Sequence, residues 1–215
     1  MSSPIASPPG RLQRQKHDAL VRGARLVFGR DGYARASIDA IATEAGVSTR
    51  TLYKHFSGKE QLFAFVLENS ATQVADGFVE RLRTVAAAES AEGVPAELTG
   101  IAHALVRQTI DHPEHFAMAR QINAESGHFP AHVLDAWQQA GPRRVEAEVV
   151  GRLRRLADQG LLVVTDLDRA ALHFMALATA EAGPRGLRRA GHLTATETDV
   201  AVSAAVEAFL NGYAP

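Results

Sequence analysis

From Ser48 to Lys59 the chain crowds hydrogen-bond donors onto one short stretch: Thr49, Arg50, Thr51, Tyr53, Lys54 and His55, with Lys59 just beyond. Leu52 and Phe56 are the apolar members, spaced four apart, so on a helix they turn inward together and leave the donors for solvent or a partner. Guanidinium, ammonium, hydroxyl and imidazole groups on one helix can grip phosphate oxygens and read base edges. Arg50 can donate a bidentate pair to guanine O6 and N7, worth roughly 1–3 kcal/mol of discrimination. Ser37, at the head of the preceding helix, can donate to phosphate through its hydroxyl or through that helix's N-terminus. Plainer roles stand beside these: a solvated basic helix, Tyr53 packed on the first helix, and His55 as a satisfied structural residue.

Other chemistry is poorly supported. Asp111, His112, Glu114 and His115 form a cluster of metal-ligating types, and His128 with His132 sits at i,i+4. Both groups flank loops or helix starts and lack the partners of a known ligand spacing, so no metal is expected. The absence of cysteine removes a disulfide scaffold, a thiolate metal site and a cysteine nucleophile. With no GxSxG, P-loop or dinucleotide fingerprint, neither an enzyme nor a cofactor is expected. No apolar run approaches the ~20 residues that span a bilayer. The Ser/Pro-rich start, Met1 to Gly10, lacks the apolar segment of a signal peptide. The expectation is a cytoplasmic protein without a membrane partner.

The net charge of −1 hides an asymmetry. Residues 1–60 carry ten Lys/Arg against five Asp/Glu, a balance of +5, which leaves −6 for the remainder. A basic head on an acidic body suggests that only the head meets a polyanion.

The elements that must position these groups read as helices throughout. Residues 1–10, with three prolines and no charge, are expected to be a disordered tail. Leu20, Ala24, Val27 and Phe28 then mark a first helix ending at Gly29 and Asp31-Gly32. Arg11, Arg14 and Lys16 could reach phosphate from its start, although a solvated helix start is the plainer reading. Ser37 caps a short helix carrying Ile38, Ile41, Ala42 and Ala45, Gly46 turns the chain, and Ser48 caps the donor-rich helix. Two short helices about a tight turn make a helix-turn-helix. Ser57-Gly58-Lys59-Glu60 reads as a capping box launching a fourth helix, whose apolar stripe from Leu62 to Val85 is too long for a three-helix head to cover. Further helices follow, with breaks at Gly93-Pro95, Asp111-Pro113, Gly127-Pro130, Gly141-Pro142 and Gly183-Pro184. Asp166 caps the penultimate helix, Thr194 or Thr196 opens the last, and an extended link covers Leu161 to Val164. The fold expected is all-α.

The stretch SIDAIATEAGVSTRTLYKHFSGKEQLF, residues 37–63, resembles the DNA-binding signature of TetR-type transcriptional regulators. The Gly-Val-Ser turn, the Leu-Tyr-x-His-Phe core and the following Lys-Glu carry the likeness. Phe129-Pro130 and Gly141-Pro142-Arg143-Arg144-Val145 are similar to effector domains of the AcrR/AefR-like branch. This resemblance implies a three-helix DNA-binding head over residues 11–57 and a larger helical effector-binding and dimerisation domain over 58–215. It places Thr49, Arg50, Thr51 and Lys54 on base-facing positions and Tyr53, His55 and Lys59 on phosphate-facing ones, with Ser37 and Ser48 at the helix starts.

The same resemblance implies a ligand-responsive regulator, chiefly a repressor, that binds a pseudo-palindromic stretch of double-stranded operator DNA as a homodimer. A small hydrophobic or aromatic effector would release it by shifting the long fourth helix. Candidate pocket residues are Phe65, His103, Phe116, Met118, Asn123, Trp137, His173 and Phe174. Core packing is the plainer role for the apolar ones, so His103, Asn123 and His173 carry most of the information. Dimers of such regulators form through the last two long helices, here with Leu172, Met175, Thr179, Val202, Val206 and Phe209. Two rivals are a helical carrier or enzyme with a vestigial head, and an activator that binds DNA without an effector.

Overall fold

A computed structural model of the protein describes residues 11–124, 129–181 and 193–213. Among them every regular element is helical, and no helix is long and apolar enough to cross a membrane. The helices are α1 (Arg11–Arg35), α2 (Ile38–Glu44), α3 (Thr49–His55), α4 (Lys59–Leu82), α5 (Val94–Asp111), α6 (Pro113–Ala124), α7 (Ala131–Ala140), α8 (Pro142–Asp158), α9 (Leu167–Thr179) and α10 (Ala195–Tyr213). A 3-10 turn, Ala91–Gly93, leads into α5. The expected tail over 1–10, most of the Gly127 connection and the Gly183-Pro184 stop lie outside the described residues.

The chain packs as two units, one made of the residues up to Ser70 with Glu114–Val133, the other of Ala71–Pro113 with the remainder. This division falls within α4, after Ser70. The reason lies in α4, whose apolar stripe serves two cores. Leu62, Phe63, Val66 and Leu67 are buried within the first unit, while Ala75, Phe78 and Leu82 belong to the core of the second.

In the first unit, Leu20, Ala24, Val27 and Phe28 of α1 are fully buried. Each large one contributes roughly 1.5–3 kcal/mol through loss of apolar surface to water. The helix runs through Gly29 to Gly32, the later of the two expected breaks, where φ 78 and ψ 166 take the chain out of helical geometry. Aromatic rings finish this core: Phe63 lies 5.0 Å from Phe28 and 5.1 Å from Phe129, centroid to centroid. His115 is buried and its Nδ1 sits 2.9 Å from the Ser70 hydroxyl, so this member of the suspected metal cluster is a core residue.

The start of α4 differs from the expected capping box. The backbone N–H of Ser57 donates to Gln61 Oε1 at 2.6 Å, so the returning side chain is Gln61 and not Glu60. Because α4 begins at Lys59, Gln61 is the residue placed one turn back toward Ser57.

The second unit is centred on Phe78, Leu98, Ile101, Leu105, Leu153 and Phe174, all fully buried. Among the described residues, one carboxylate lies inside it. Glu97, 1% exposed, accepts from Arg152 at 3.1 Å, from Arg155, and from the Ala88 N–H at 2.8 Å. The same two arginines donate to the carbonyls of Leu82, Val85 and Ala88, closing the C-terminal end of α4 and the turn after it. Burial works to raise the Glu97 pKa, but Arg155, the Ala88 N–H and Arg152 outweigh it and hold the carboxyl below its ordinary value. Thr194, not Thr196, opens α10, trading bonds with Glu197. The extended link is tied down where the Val163 N–H donates to the Tyr213 carbonyl at 2.8 Å.

Candidate nucleic-acid interface and effector region

The helix-turn-helix is held by local bonds that the sequence dictates. Ser37 sits in extended geometry and its hydroxyl oxygen accepts from the Ala40 N–H at 3.1 Å. Past α2, Gly46 takes φ 65, and the Val47 N–H returns to the Ala42 carbonyl at 3.0 Å. Only a residue without Cβ enters this conformation at no steric cost. Ser48 then caps α3, accepting from the Thr51 N–H at 3.2 Å and lying 2.9 Å from the Thr51 hydroxyl. Fully buried Leu52 and nearly buried Phe56 anchor α3 from inside.

Close approach completes the motif. A Cβ added at Gly23 would lie 2.9 Å from both the Cβ and the backbone N of Ala45, so glycine lets α1 touch the end of α2. Gly23 shows no pattern in the sequence that marks this role.

The donors predicted to meet DNA separate into two groups. Arg50, Lys54 and Tyr53 are exposed, and the Arg50 and Lys54 charges have no partner among the described residues. Ser37 and Ser48 are exposed at the two helix starts, while Thr49, Thr51 and His55 are half-buried on α3. Lys59 is differently employed: its ammonium donates to the carbonyls of Tyr33 at 2.9 Å and Ala36 at 3.1 Å, with Ala34 at 3.4 Å. It also lies 4.5 Å from the centre of the Tyr33 ring. Its cation thus closes the end of α1, where unpaired carbonyls favour positive charge.

His55 has a neighbour that sequence reading missed. The rings of His17 and His55 lie 5.6 Å apart, with Phe56 and Phe65 against His17. Burial, then His17, then Lys54 push the His55 pKa below its ordinary value. His17 lies three residues before Leu20 on the buried stripe of α1, the one signal that pointed to it.

The eight effector-pocket candidates do not form one group. Phe65 is exposed and packs on Phe56 and His17, while Phe116 and Met118 belong to α6 in the first unit. Asn123 is in α6, and its side chain lies outside what is described. In the second unit, His103 pairs with Asp199 at 3.4 Å and exposed His173 bonds the Tyr213 hydroxyl at 2.8 Å. Phe174 is core, 5.1 Å from Phe209. Trp137 is buried with Nε1 unpartnered among the described residues, as is Oε1 of buried Gln108, a residue not predicted.

The residues expected at a dimer interface point two ways. Leu172 is 62% exposed, and Met175 and Thr179 are half-buried on α9. Val202, Val206 and Phe209 instead turn into their own chain's core, each under 5% exposed. On α10 the exposed residues include Val200, Ala204 and Ala208 beside Asp199, Ser203 and Glu207.

Comparison with known proteins agrees with this geometry. Residues 20–66 match the family model described as bacterial regulatory proteins of the tetR family, and 96–215 match the C-terminal domain of AefR-like transcriptional repressors. The chain is 40% identical over 75 residues to the HTH-type transcriptional activator FasR of Mycolicibacterium smegmatis, a match covering 34% of each protein. It is 26% identical over 143 residues to the HTH-type transcriptional repressor NicS of Pseudomonas putida, covering 66% of this chain and 62% of that one. These matches therefore span about a third and under two thirds of the two relatives' lengths. The solved structure of the flavonoid-responsive regulator FrrA is similar over 94% of this chain and 98% of that chain, with 27% identity and a TM-score of 0.67.

Proposed function

The chain belongs to the TetR family of transcriptional regulators, and from that premise we propose that it binds a pseudo-palindromic operator as a cytoplasmic homodimer and represses transcription until a small hydrophobic or aromatic molecule lowers its DNA affinity. The observation that carries this reading is the outward face of α3, where Arg50, Tyr53 and Lys54 stand exposed while Leu52 and Phe56 are buried behind them. Arg50 and Lys54, with Thr49 and Thr51, would reach base edges in the major groove. Tyr53, His55 and the hydroxyls of Ser37 and Ser48 would hold phosphate and fix the register.

Response to an effector is supported by Trp137 Nε1 and Gln108 Oε1, a buried donor and acceptor left unpaired in the second unit. Each such group costs about 1–3 kcal/mol, which a ligand offering hydrogen bonds would recover. A small hydrophobic or aromatic effector is also in keeping with FrrA, a similar structure named for its response to flavonoids. An effector favouring one position of α4, which begins in the first unit and ends in the second, would change the presentation of α3.

Selection of bound sequences from a random DNA pool, followed by a salt titration, tests the reading. A two-fold-related site is expected, with a slope of log affinity against log salt near −5, from about six phosphate contacts in a dimer. An asymmetric site or salt-insensitive binding would sink it. Because the FasR relative is an activator, a reporter behind the selected site decides the sign: loss of the protein should raise expression.

A further inference from the structure

We propose that a cleft between α5, the first turn of α10 and the end of α4 binds an amphipathic carboxylate. The cleft measures about 510 Å³ and lies wholly within the second unit. That volume falls in the range of small-ligand sites. Its walls are mixed: Ile110, Leu193 and Ala195 supply apolar surface, Arg81 and Arg107 supply cations, and His103 adds a polar ring.

Charge decides the ligand class. Arg81 and Arg107 are held on the two oxygens of a single carboxylate, Asp111, with Arg107 Nε at 3.1 Å from Oδ1 and Arg81 on Oδ2. Two guanidiniums thus share one negative charge. The other carboxylate of the cleft, Asp199, lies 3.4 Å from His103 Nε2, linking α5 and α10, while the arginine pair and Asp111 together carry one net positive charge. The terminal nitrogens of Arg107 have no partner among the described residues, and its side chain is 63% exposed. A planar carboxylate can accept two parallel N–H bonds from such a group, a geometry that a single alcohol oxygen cannot reproduce.

The apolar residues set the rest of the molecule. With the headgroup on Arg107, an alkyl or aryl body would lie along Ile110 and Leu193, whose side chains are half-buried and lose further water on contact.

Calorimetric titration of the full chain with decanoate and with decanamide, an isosteric neutral probe, tests the site. Wild type should bind decanoate at least about tenfold more tightly than decanamide, the difference expected for a charge-assisted bidentate bond. Two variants should each weaken decanoate by roughly tenfold and leave decanamide unchanged. Arg107→Gln removes the free guanidinium. Ala195→Glu sets a negative charge at the cleft while remaining favourable to the start of α10, so unfolding is not a competing explanation. Thermal midpoints without ligand should match wild type for at least the second variant. Equal binding of acid and amide, no binding of decanoate, or decanoate affinity surviving both substitutions would overturn the proposal. Operator binding is measured in the same preparations. Its persistence when decanoate fails would confine the failure to this cleft, since the inference does not rest on the regulator reading.

Discussion

Arg50 and Lys59 carry the same charge a few residues apart, and the difference between them is what each already holds. Arg50 is exposed and unpartnered among the described residues, whereas Lys59 is occupied by the carbonyls ending α1. Arg50→Ala should therefore lower operator affinity by about 1–3 kcal/mol and relax sequence preference at one base pair per half-site, with the thermal midpoint unmoved. Competition binding on single-base operator variants reads this directly, and an unaltered preference would remove Arg50 from base reading. Lys59→Met should do the reverse, lowering stability by roughly 1–2 kcal/mol in urea titrations through the loss of charged hydrogen bonds to carbonyls. His55 adds a pH signature. Since its folded pKa is depressed, the unfolded chain binds the proton more readily, and stability is full above the unfolded value near 6.5. That stability declines as pH falls through the folded pKa. Urea midpoints measured from pH 8 to pH 5 should fall in wild type and flatten in His55→Gln.

Elements show why some of this was legible in sequence and some was not. The helix-turn-helix is local: Ser37, Gly46 and Ser48 bond groups three to five residues away, so residue type and spacing predicted their roles. Lys59 meets carbonyls 23 to 26 residues upstream, and Gly23 meets Ala45, contacts that exist only once helices pack. The same limit hid Glu97, which looks like one more surface acid on α5 until Arg152 and Arg155 arrive from α8. Apolar periodicity likewise predicted that α10 buries Val202, Val206 and Phe209, but not whether against its own chain or a second copy. The helix-end arrangement at Glu97 gives a test. Glu97→Gln leaves two guanidiniums near a neutral amide and should destabilise the protein by about 3 kcal/mol, the lower part of the range for breaking a buried pair because both arginines are partly exposed. The sign with pH is opposite in origin to a raised group. The Glu97 pKa is depressed on folding, so its contribution is present above about pH 4.5 and lost as pH falls below. Wild type and Glu97→Gln should then converge in stability toward acid pH, which chemical denaturation at pH 7 and pH 4 would show.

For the whole molecule, one seven-residue recognition helix is too little to find an operator in a genome. The proposed function therefore calls for two copies on successive major-groove half-sites, where binding the second head would become intramolecular once the first is seated. The chain's charge suits this use, +5 over residues 1–60 against −6 elsewhere. What a second copy could dock on is the outward side of α9 and α10, since the inward side is already filled. Leu172 at 62% and Val200 at 66% are large apolar groups in water, and Ala176, Ala204 and Ala208 beside them permit close helix approach. Changing Leu172 and Val200 together to Glu should cost a folded monomer little, since exposed positions move stability by about 0.5 kcal/mol or less each. Four carboxylates brought together in a dimer would repel strongly. Sedimentation at micromolar concentration should therefore show wild type as a dimer and the double variant as a monomer. Affinity for the full operator should fall by about a hundredfold or more, and affinity for an isolated half-site should not change. A double variant that still sediments as a dimer would move the interface elsewhere. A monomeric wild type that still selects a two-fold site would require assembly on the DNA itself.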